Sequence, residues 1–488
     1  MSSPSASSRK PNLDSVTTIN PDGSRYFLHP ADVHGPFTRW RRVVGALWLA
    51  IYVLLPWIPV NGFPAVFFDL ANRRFHLFGL TFVTEDLWLA FFMLTGLGFG
   101  LFYITALAGR LWCGWTCPYT VFLEHLYRRI ERWIEGDAAA RRKLDAAPWT
   151  GGKMAKRVFK HALYFLVSAA IAHVFLSYFV SLERLYDYMH QSPLENAKAF
   201  GVVTFLTVCL YGSFAWFREQ FCIILCPYGR IQSALTDDNT MVIGYDRKRG
   251  EPRGKASDPG AGDCVACNRC VQVCPTGIDI RNGLQLECIG CAACVDACNE
   301  IMERLKRPKG LVRYDSMNGL EGLKTKILRP RVFVYSALLA VGATVLLTFT
   351  SRLHSSSAEA SRMRGEAYYV TDEGVRNQYE LRLVTKRNEP TTFTVTAKDA
   401  PTGLILSGLG ESIVVDPQTE VKLPFFASIT KADYRGRFTL NLEIAVRPGD
   451  YVIEQTVEFL GPSAYVFNEE RKKAEAAAKS ATEAPKQP

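Results

Sequence analysis

The sequence predicts a multidomain membrane protein: an alpha-helical transmembrane bundle of about five helices, a small cysteine-rich module beside it, and a C-terminal beta sandwich. Three observations predict this. Five apolar runs are long enough, or nearly long enough, to cross a bilayer. Eight of the thirteen cysteines fall between Cys264 and Cys298. Beyond about Arg364, short stretches alternate apolar and polar residues between Pro, Gly, Asn and Asp. A chain of 488 residues is also too long for one ordinary core.

The apolar runs cover about 43–60, 87–107, 158–180, 202–217 and 332–350, each with few charges. Basic residues orient them. The segment 110–160 includes Arg128, Arg129, Arg132, Arg141, Arg142, Lys143, Lys153, Lys156 and Arg157, whereas 61–86 offers only Arg73 and Arg74. Basic loops stay in the cytoplasm. The N-terminus and the cysteine-rich stretch are therefore expected there, and everything after about Ser351 outside, in the periplasm of a Gram-negative cell. Cysteine usage points the same way, because all thirteen lie between Cys113 and Cys298. Thiolates survive in a reduced compartment, and the chain beyond Cys298 cannot hold a disulfide framework. The net charge of +10 is read as setting topology and not as binding nucleic acid. The polar start MSSPSASSRKPNLDSVTT does not read as a cleavable signal.

Helices one and two, and three and four, form two hairpins that end in related motifs: Cys113-Gly-Trp-Thr-Cys117-Pro118-Tyr119 and Cys222-Ile-Ile-Leu-Cys226-Pro227-Tyr228. The offset from Cys113 to Cys222 equals that from Cys117 to Cys226, so the motif is an internal repeat. Two crossings separate the motifs, so both face the same side and four cysteines can converge there. Residues four apart share a helix face, and a proline disfavours helical geometry in the residue before it. Each pair can thus point together at a helix end. One copy alone would read as small apolar packing; the repeat makes the quartet a candidate site.

The stretch 237–330 is polar, glycine-rich and basic, and its centre is CVACNRCVQVCPTGIDIRNGLQLECIGCAACVDAC. Cys264, Cys267, Cys270 and Cys274, followed by Pro275, have the spacing C-x2-C-x2-C-x3-C-P, and Cys288, Cys291, Cys294 and Cys298 repeat it. Two such runs predict two 4Fe-4S clusters in a ferredoxin-like module, with the fourth cysteine of each run serving the other cluster. One cluster takes Cys264, Cys267, Cys270 and Cys298; the second takes Cys288, Cys291, Cys294 and Cys274. Structural zinc also uses C-x2-C pairs, but it does not require two complete runs with exchanged cysteines. So small a module needs staples, and the clusters provide them. The basic run Arg247, Lys248, Arg249, Arg253 and Lys255 is read as a solvated or lipid-facing charge run, with phosphate or an acidic electron donor as the alternative.

About seven strands are expected near the end, around Tyr379-Leu381-Leu383, Phe393-Val395, Val421-Leu423, Phe438-Leu440-Leu442 and 451–457, after a polar segment 351–364. An immunoglobulin-like sandwich accommodates that pattern. The expected boundaries are 1–42 for a cytoplasmic N-terminal segment, 43–221 for the four-helix region, 222–330 for the cluster module, 331–350 for the fifth helix, 351–466 for the sandwich and 467–488 for a polar tail.

The chain resembles the FixG/RdxA/CcoG family from about residue 34 to 462. The resemblance is carried by NGFPAVFFDLANRRFHLFGLTF, CGWTCPYT, CIILCPYGRIQSALTD, YDRKRGEPRG, the paired cysteine runs and RNQYELRLVTKRNEPTTFTV. Asn299 stands where a proline would follow the second run. The resemblance implies a bacterial inner-membrane iron-sulfur protein that reduces Cu(II) to Cu(I) for assembly of the cbb(3)-type cytochrome c oxidase. Oxidase subunits or copper-delivery factors would be its partners, with an electron donor yet to be identified. Cys113, Cys117, Cys222 and Cys226 would then be the copper-binding or redox-active residues, since thiolates favour Cu(I). The C-x3-C-P motifs are also similar to those in membrane subunits of periplasmic nitrate and nitrous oxide reductase systems, which implies a quinol-oxidising relay instead. A scaffold with structural clusters is the third reading. His173 is a weaker metal or proton candidate, Met93 and Cys209 read as packing, and Glu219 reads as a partner of Arg218.

Overall fold

A computed structural model describes residues 26–83, 86–351 and 354–463, with Tyr465 and Glu469 beyond them. Residues 1–25 and most of the expected tail lie outside the described residues. The chain divides into two compact units, 1–350 and 351–488.

In the first unit, four helices have the length and composition of membrane spans: Leu87–Ala108, Gly151–Leu176, Ala197–Phe217 and Pro330–Ser351. They expose Phe91, Leu94, Leu166, Phe205 and Phe333, side chains that suit lipid and not water. The second begins seven residues before its apolar run because the Thr150 hydroxyl caps it, accepting from the Lys153 N–H at 3.3 Å. The expected crossing at 43–60 differs from its prediction. Its helix is Pro36–Leu54, opened by Pro36, and Arg39, Arg41 and Arg42 occupy the first turns, which removes it from the four. Residues 43–54 make only about 18 Å of α-helix, against roughly 30 Å of hydrocarbon. A short 3-10 turn, Leu55–Trp57, follows and the chain enters small hairpins. The helix nevertheless runs alongside Gly151–Leu176: the Tyr52 hydroxyl donates to the Ile171 carbonyl at 2.8 Å, and Tyr178 donates to the Tyr52 carbonyl at 2.7 Å.

The cysteine module is bracketed by two antiparallel strands, Val242–Tyr245 and Val312–Asp315. Its core sets Ile243, Val273, Ile280, Val295, Met302 and Val312 around the cysteines. The basic run before it is solvated, with Arg247, Lys248, Arg253 and Lys255 exposed and Arg249 half-buried, and most of it is also tied to the module's surface. Arg247 donates to the Asn282 carbonyl, Lys248 to the Glu321 carbonyl, Arg249 pairs with Asp263 at 2.7 Å, and Arg253 pairs with Glu251 at 2.7 Å. These side chains clamp loops over the module.

Several basic residues of 110–160 are likewise structural. Glu131, 1 % exposed, accepts from Arg218 at 2.9 Å and from Arg141 at 3.1 Å; Glu135 takes Arg157 and Lys160 at 3.0 and 2.9 Å. Burial alone would push the Glu131 carboxyl up, but Arg218, Lys160 and Arg141 outweigh it and hold the group below the usual carboxylate range.

The second unit is a two-sheet sandwich of antiparallel strands. One sheet runs Leu404–Ser407, Glu420–Thr430, Gly374–Thr385, Ser356–Arg362, with Tyr369–Val370 attached; the other runs Ile413–Val415, Thr391–Lys398, Phe438–Arg447, Tyr451–Phe459. Tyr379, Leu381, Leu383, Phe393, Phe425, Leu442, Ile444 and Phe459 fill the space between the sheets. The segment expected to be merely polar contains the edge strand Ser356–Arg362. Its inward residues are Ser356 and Ala358, too small to produce the bulky alternation that marks a strand.

Candidate electron-transfer site

The eight cysteines of the module lie close enough to influence one another. Cys298 is near Cys264 and Cys267, and Cys270 is near Cys298 and Cys267. Cys294 is near Cys291, Cys288 and Cys274, and near Cys270 of the first run as well. The two loops also share a backbone. Ala266 and Asn268 (φ 54° and 57°) flank Cys267, and Gly290 and Ala292 (φ 66° and 59°) flank Cys291 in the same way. Left-handed residues alternating with right-handed ones turn successive N–H groups inward, the concavity that receives an anionic iron-sulfur cube. Among the described residues no three His, Cys, Asp or Glu side chains converge on a single-ion site. None of the thirteen cysteines is paired in a disulfide.

The two loops differ in surroundings. Cys267 is exposed, whereas Cys291 and Cys294 are buried. The second loop lies against the first membrane motif. A side chain on Gly114 would stand 2.6 Å from the Ile289 carbonyl oxygen and 2.9 Å from the Cys291 nitrogen, so only glycine admits this approach. Tyr314 donates to the Gly290 carbonyl at 2.5 Å and accepts from the Trp115 indole N–H at 3.2 Å. Asp296, between Cys294 and Cys298, caps the helix Pro36–Leu54: it accepts from the Thr38 N–H and hydroxyl, both at 2.7 Å, and from the Phe37 N–H at 3.3 Å. Arg128 donates to the Pro275 carbonyl at 3.1 Å.

The quartet is brought together. Cys113, on the short helix Leu111–Trp115, faces Cys117, Cys222 and Cys226. Cys222 sits on a wide π-type turn, Phe221–Leu225. Cys117 and Cys226 precede their prolines with extended backbones, φ/ψ −58°/122° and −67°/114°, as the proline rule requires. The four thiols are electrostatic neighbours that do not converge on one ion position. Burial pushes the Cys222, Cys270 and Cys288 thiols up to about 12 and Cys298 to about 11; Cys113, Cys291 and Cys294 are raised as well. Each must release a proton on ligating a metal.

The weaker candidates do not join these sites. The His173 ring donates to the Ala169 carbonyl one turn back at 2.8 Å, and Met93 and Cys209 are exposed on their helices. Glu219 pairs with Arg218 at 3.8 Å as expected, and each has a nearer partner: Glu131 for Arg218 at 2.9 Å and Arg128 for Glu219 at 3.2 Å. A cavity of about 1170 Å³, lined by Trp57, Phe63 and Arg184 among others, contains no cysteine. Sequence reasoning missed Gly114, Asp296, Tyr314 and Arg110. The signal for Gly114 was its counterpart in the second copy of the repeat, Ile223: a glycine present in one copy alone marks close approach.

Membrane helices, paired cysteine loops and a β sandwich define a membrane iron-sulfur electron-transfer protein with an Ig-like domain. Family models agree part by part. A 4Fe-4S dicluster domain matches residues 217–317, a 4Fe-4S binding domain matches 89–136, and the IG-like fold at the C-terminal of FixG matches 346–462. The nitrogen fixation protein FixG of Rhizobium meliloti is 34% identical over 463 residues, 84% of this chain and 87% of that protein. Protein RdxA of Cereibacter sphaeroides is 35% identical over 77% of this chain and 83% of its own length, and RdxB of the same organism 34% over 80% and 86%. The chain belongs to the FixG/RdxA/CcoG family.

Proposed function

We propose that the chain reduces Cu(II) to Cu(I) at the quartet Cys113, Cys117, Cys222 and Cys226, for assembly of a cbb(3)-type oxidase. The observation that carries this reading is Gly114, which sets the quartet's own backbone against Ile289 and Cys291. The two 4Fe-4S clusters, when bound, supply electrons one at a time, which is what the Cu(II)/Cu(I) change consumes. The chain's residues hold both ends of the transfer. Cys264, Cys267, Cys270 and Cys298 hold one cluster, and Cys288, Cys291, Cys294 and Cys274 the other. Thiolates of the quartet, closing on the ion, favour the cuprous state and so pull the electron forward. No acid-base group is needed beyond the thiols themselves.

In this reading the basic segment 110–160 keeps the motifs and clusters in the cytoplasm. Although its apolar part alone is short, the whole helix Pro36–Leu54, about 28 Å long over its 19 residues, serves as the fifth crossing in this reading, with its arginine end at Asp296 and its other end beside Tyr178. The sandwich then lies in the periplasm, where oxidase subunits or copper-delivery factors are its partners. The test is Cys113→Ser with Cys117→Ser in isolated membranes. Cu(II) reduction should fall to background while electron paramagnetic resonance still counts two clusters; reduction at the parental rate sinks the assignment.

A further inference from the structure

The turn that ends the helix Leu87–Ala108 places one cation between the quartet and the second cluster loop. Arg110 donates from Nε to Gln232 Oε1 at 2.6 Å and from Nη2 to the Gly229 carbonyl at 2.6 Å. Both partners are neutral, and among the described residues Arg110 forms no ion pair with a carboxylate. Its charge is uncompensated. It faces Cys113 and Cys222 on one side and Cys288 on the other. Its backbone also meets the second loop, since a side chain on Gly290 would stand 3.1 Å from the Arg110 carbonyl carbon and oxygen. Arg110, Gln232, Cys288, Gly290 and Tyr314 line one cavity of about 40 Å³.

The first cluster group has no equivalent. Arg281 faces Cys264 and Cys270, but Asp279 binds it at 2.6 Å; Arg249 faces Cys298, but Asp263 binds it at 2.7 Å. A charge already paired with a carboxylate contributes little net field, whereas a half-buried cation whose partners are neutral, as Arg110 is, keeps most of its field. Cluster potentials respond to local charge.

We propose that Arg110 is a positioning residue for the electron: its charge raises the reduction potential of the cluster held by Cys288, Cys291, Cys294 and Cys274 above that of the other. The electron then rests in the cluster beside the quartet before it leaves. This rests on the two-cluster reading and is independent of copper. The internal repeat makes the placement specific, because the position equivalent to Arg110 in the second copy is Glu219, of opposite charge and tied to Arg128.

The test is a redox titration of the purified full chain, followed by electron paramagnetic resonance, on the parent, Arg110→Gln and Arg110→Lys. Arg110→Gln should lower the potential of the higher-potential cluster and leave the other in place, Arg110→Lys should restore most of the shift, and Arg281→Gln should move only the lower wave. Two intact clusters with neither wave moved by Arg110→Gln, or both moved equally, overturn the inference. If Arg110→Gln fails to hold its clusters, Gln232→Glu sets a carboxylate on the guanidinium and must produce the same selective downward shift. Fewer than two clusters in the parent would instead defeat the ligation reading, and the inference with it.

Discussion

The two copies of the C-x3-C-P repeat share a backbone and part company in what they touch. Both follow a helix that ends in the same turn, at equivalent positions of the repeat: Gly109 at φ 53°, ψ −125° and Arg218 at φ 52°, ψ −127°. Glycine takes that conformation freely; arginine does so at a cost of about 1–3 kcal/mol. The first copy faces the cluster module through Gly114, Trp115 and Arg110. The second faces a buried ionic network, through Arg218 and Glu219, and carries Ile223 where the first has Gly114. A symmetric pair of hairpins has thus been given one electron-transfer face and one anchoring face.

The largest expected effect is on the anchoring face. Arg218→Ala removes the strained turn's side chain but leaves Glu131 and Glu219 buried without it. Breaking a buried pair from one side costs about 3–5 kcal/mol, and alanine, which also carries a Cβ, does not relieve the left-handed turn, so thermal unfolding in detergent should drop markedly. A neutral result would mean that the network does not anchor the second copy. Next comes Gly114→Ala, which drives a methyl group into the Ile289–Cys291 backbone and should cost about 1–3 kcal/mol by overpacking. Electron delivery from dithionite-reduced protein to Cu(II) should slow with both clusters retained. Ile223→Ala, at the equivalent position, should leave delivery unchanged; equal slowing in both variants would erase the distinction between the faces.

Asp296→Ala tests the other point where the first hairpin meets the module. Loss of a helix cap costs about 0.5–2 kcal/mol. The expected readout is faster hydrogen exchange at the start of Pro36–Leu54, with the ligand cysteines untouched. Exchange at the parental rate there would show that the helix is held by packing alone.

What is legible in the sequence depends on whether the signal is local. The iron-sulfur domains can be read because thiolate spacing is written in consecutive residues, and four of the five apolar runs because lipid demands an unbroken stretch. The first helix starts seven residues before its apolar run: Arg39, Arg41 and Arg42 read as a flank, yet Arg41 is buried against Glu124 at 3.2 Å. Long-range pairing is invisible to composition, and the same blindness makes Arg128 and Arg141 read as topology charges. Arg110 is lost among its basic neighbours, and its close approach to Gly290 and Gly229 is not written in composition.

The smallest effects test whether the two copies hold each other. Tyr119 of the first motif stacks on Phe221 of the second, centroids 4.2 Å apart, and donates to the Arg218 carbonyl at 2.7 Å. Tyr228 of the second motif reaches back to the Thr105 hydroxyl at 2.5 Å in the helix of the first. The embrace is reciprocal, although only Tyr119 touches the strained turn. Tyr119→Phe and Tyr228→Phe keep the rings and remove the hydroxyls, so each should cost about 0.5–1.5 kcal/mol in thermal unfolding. Sharing no partner, they should add in the double variant to within about 0.5 kcal/mol. A loss well beyond the sum would show that the halves part as one cooperative interface. No loss in Tyr119→Phe would mean that the carbonyl of the strained turn needs no donor, and that the anchoring face holds without the first copy.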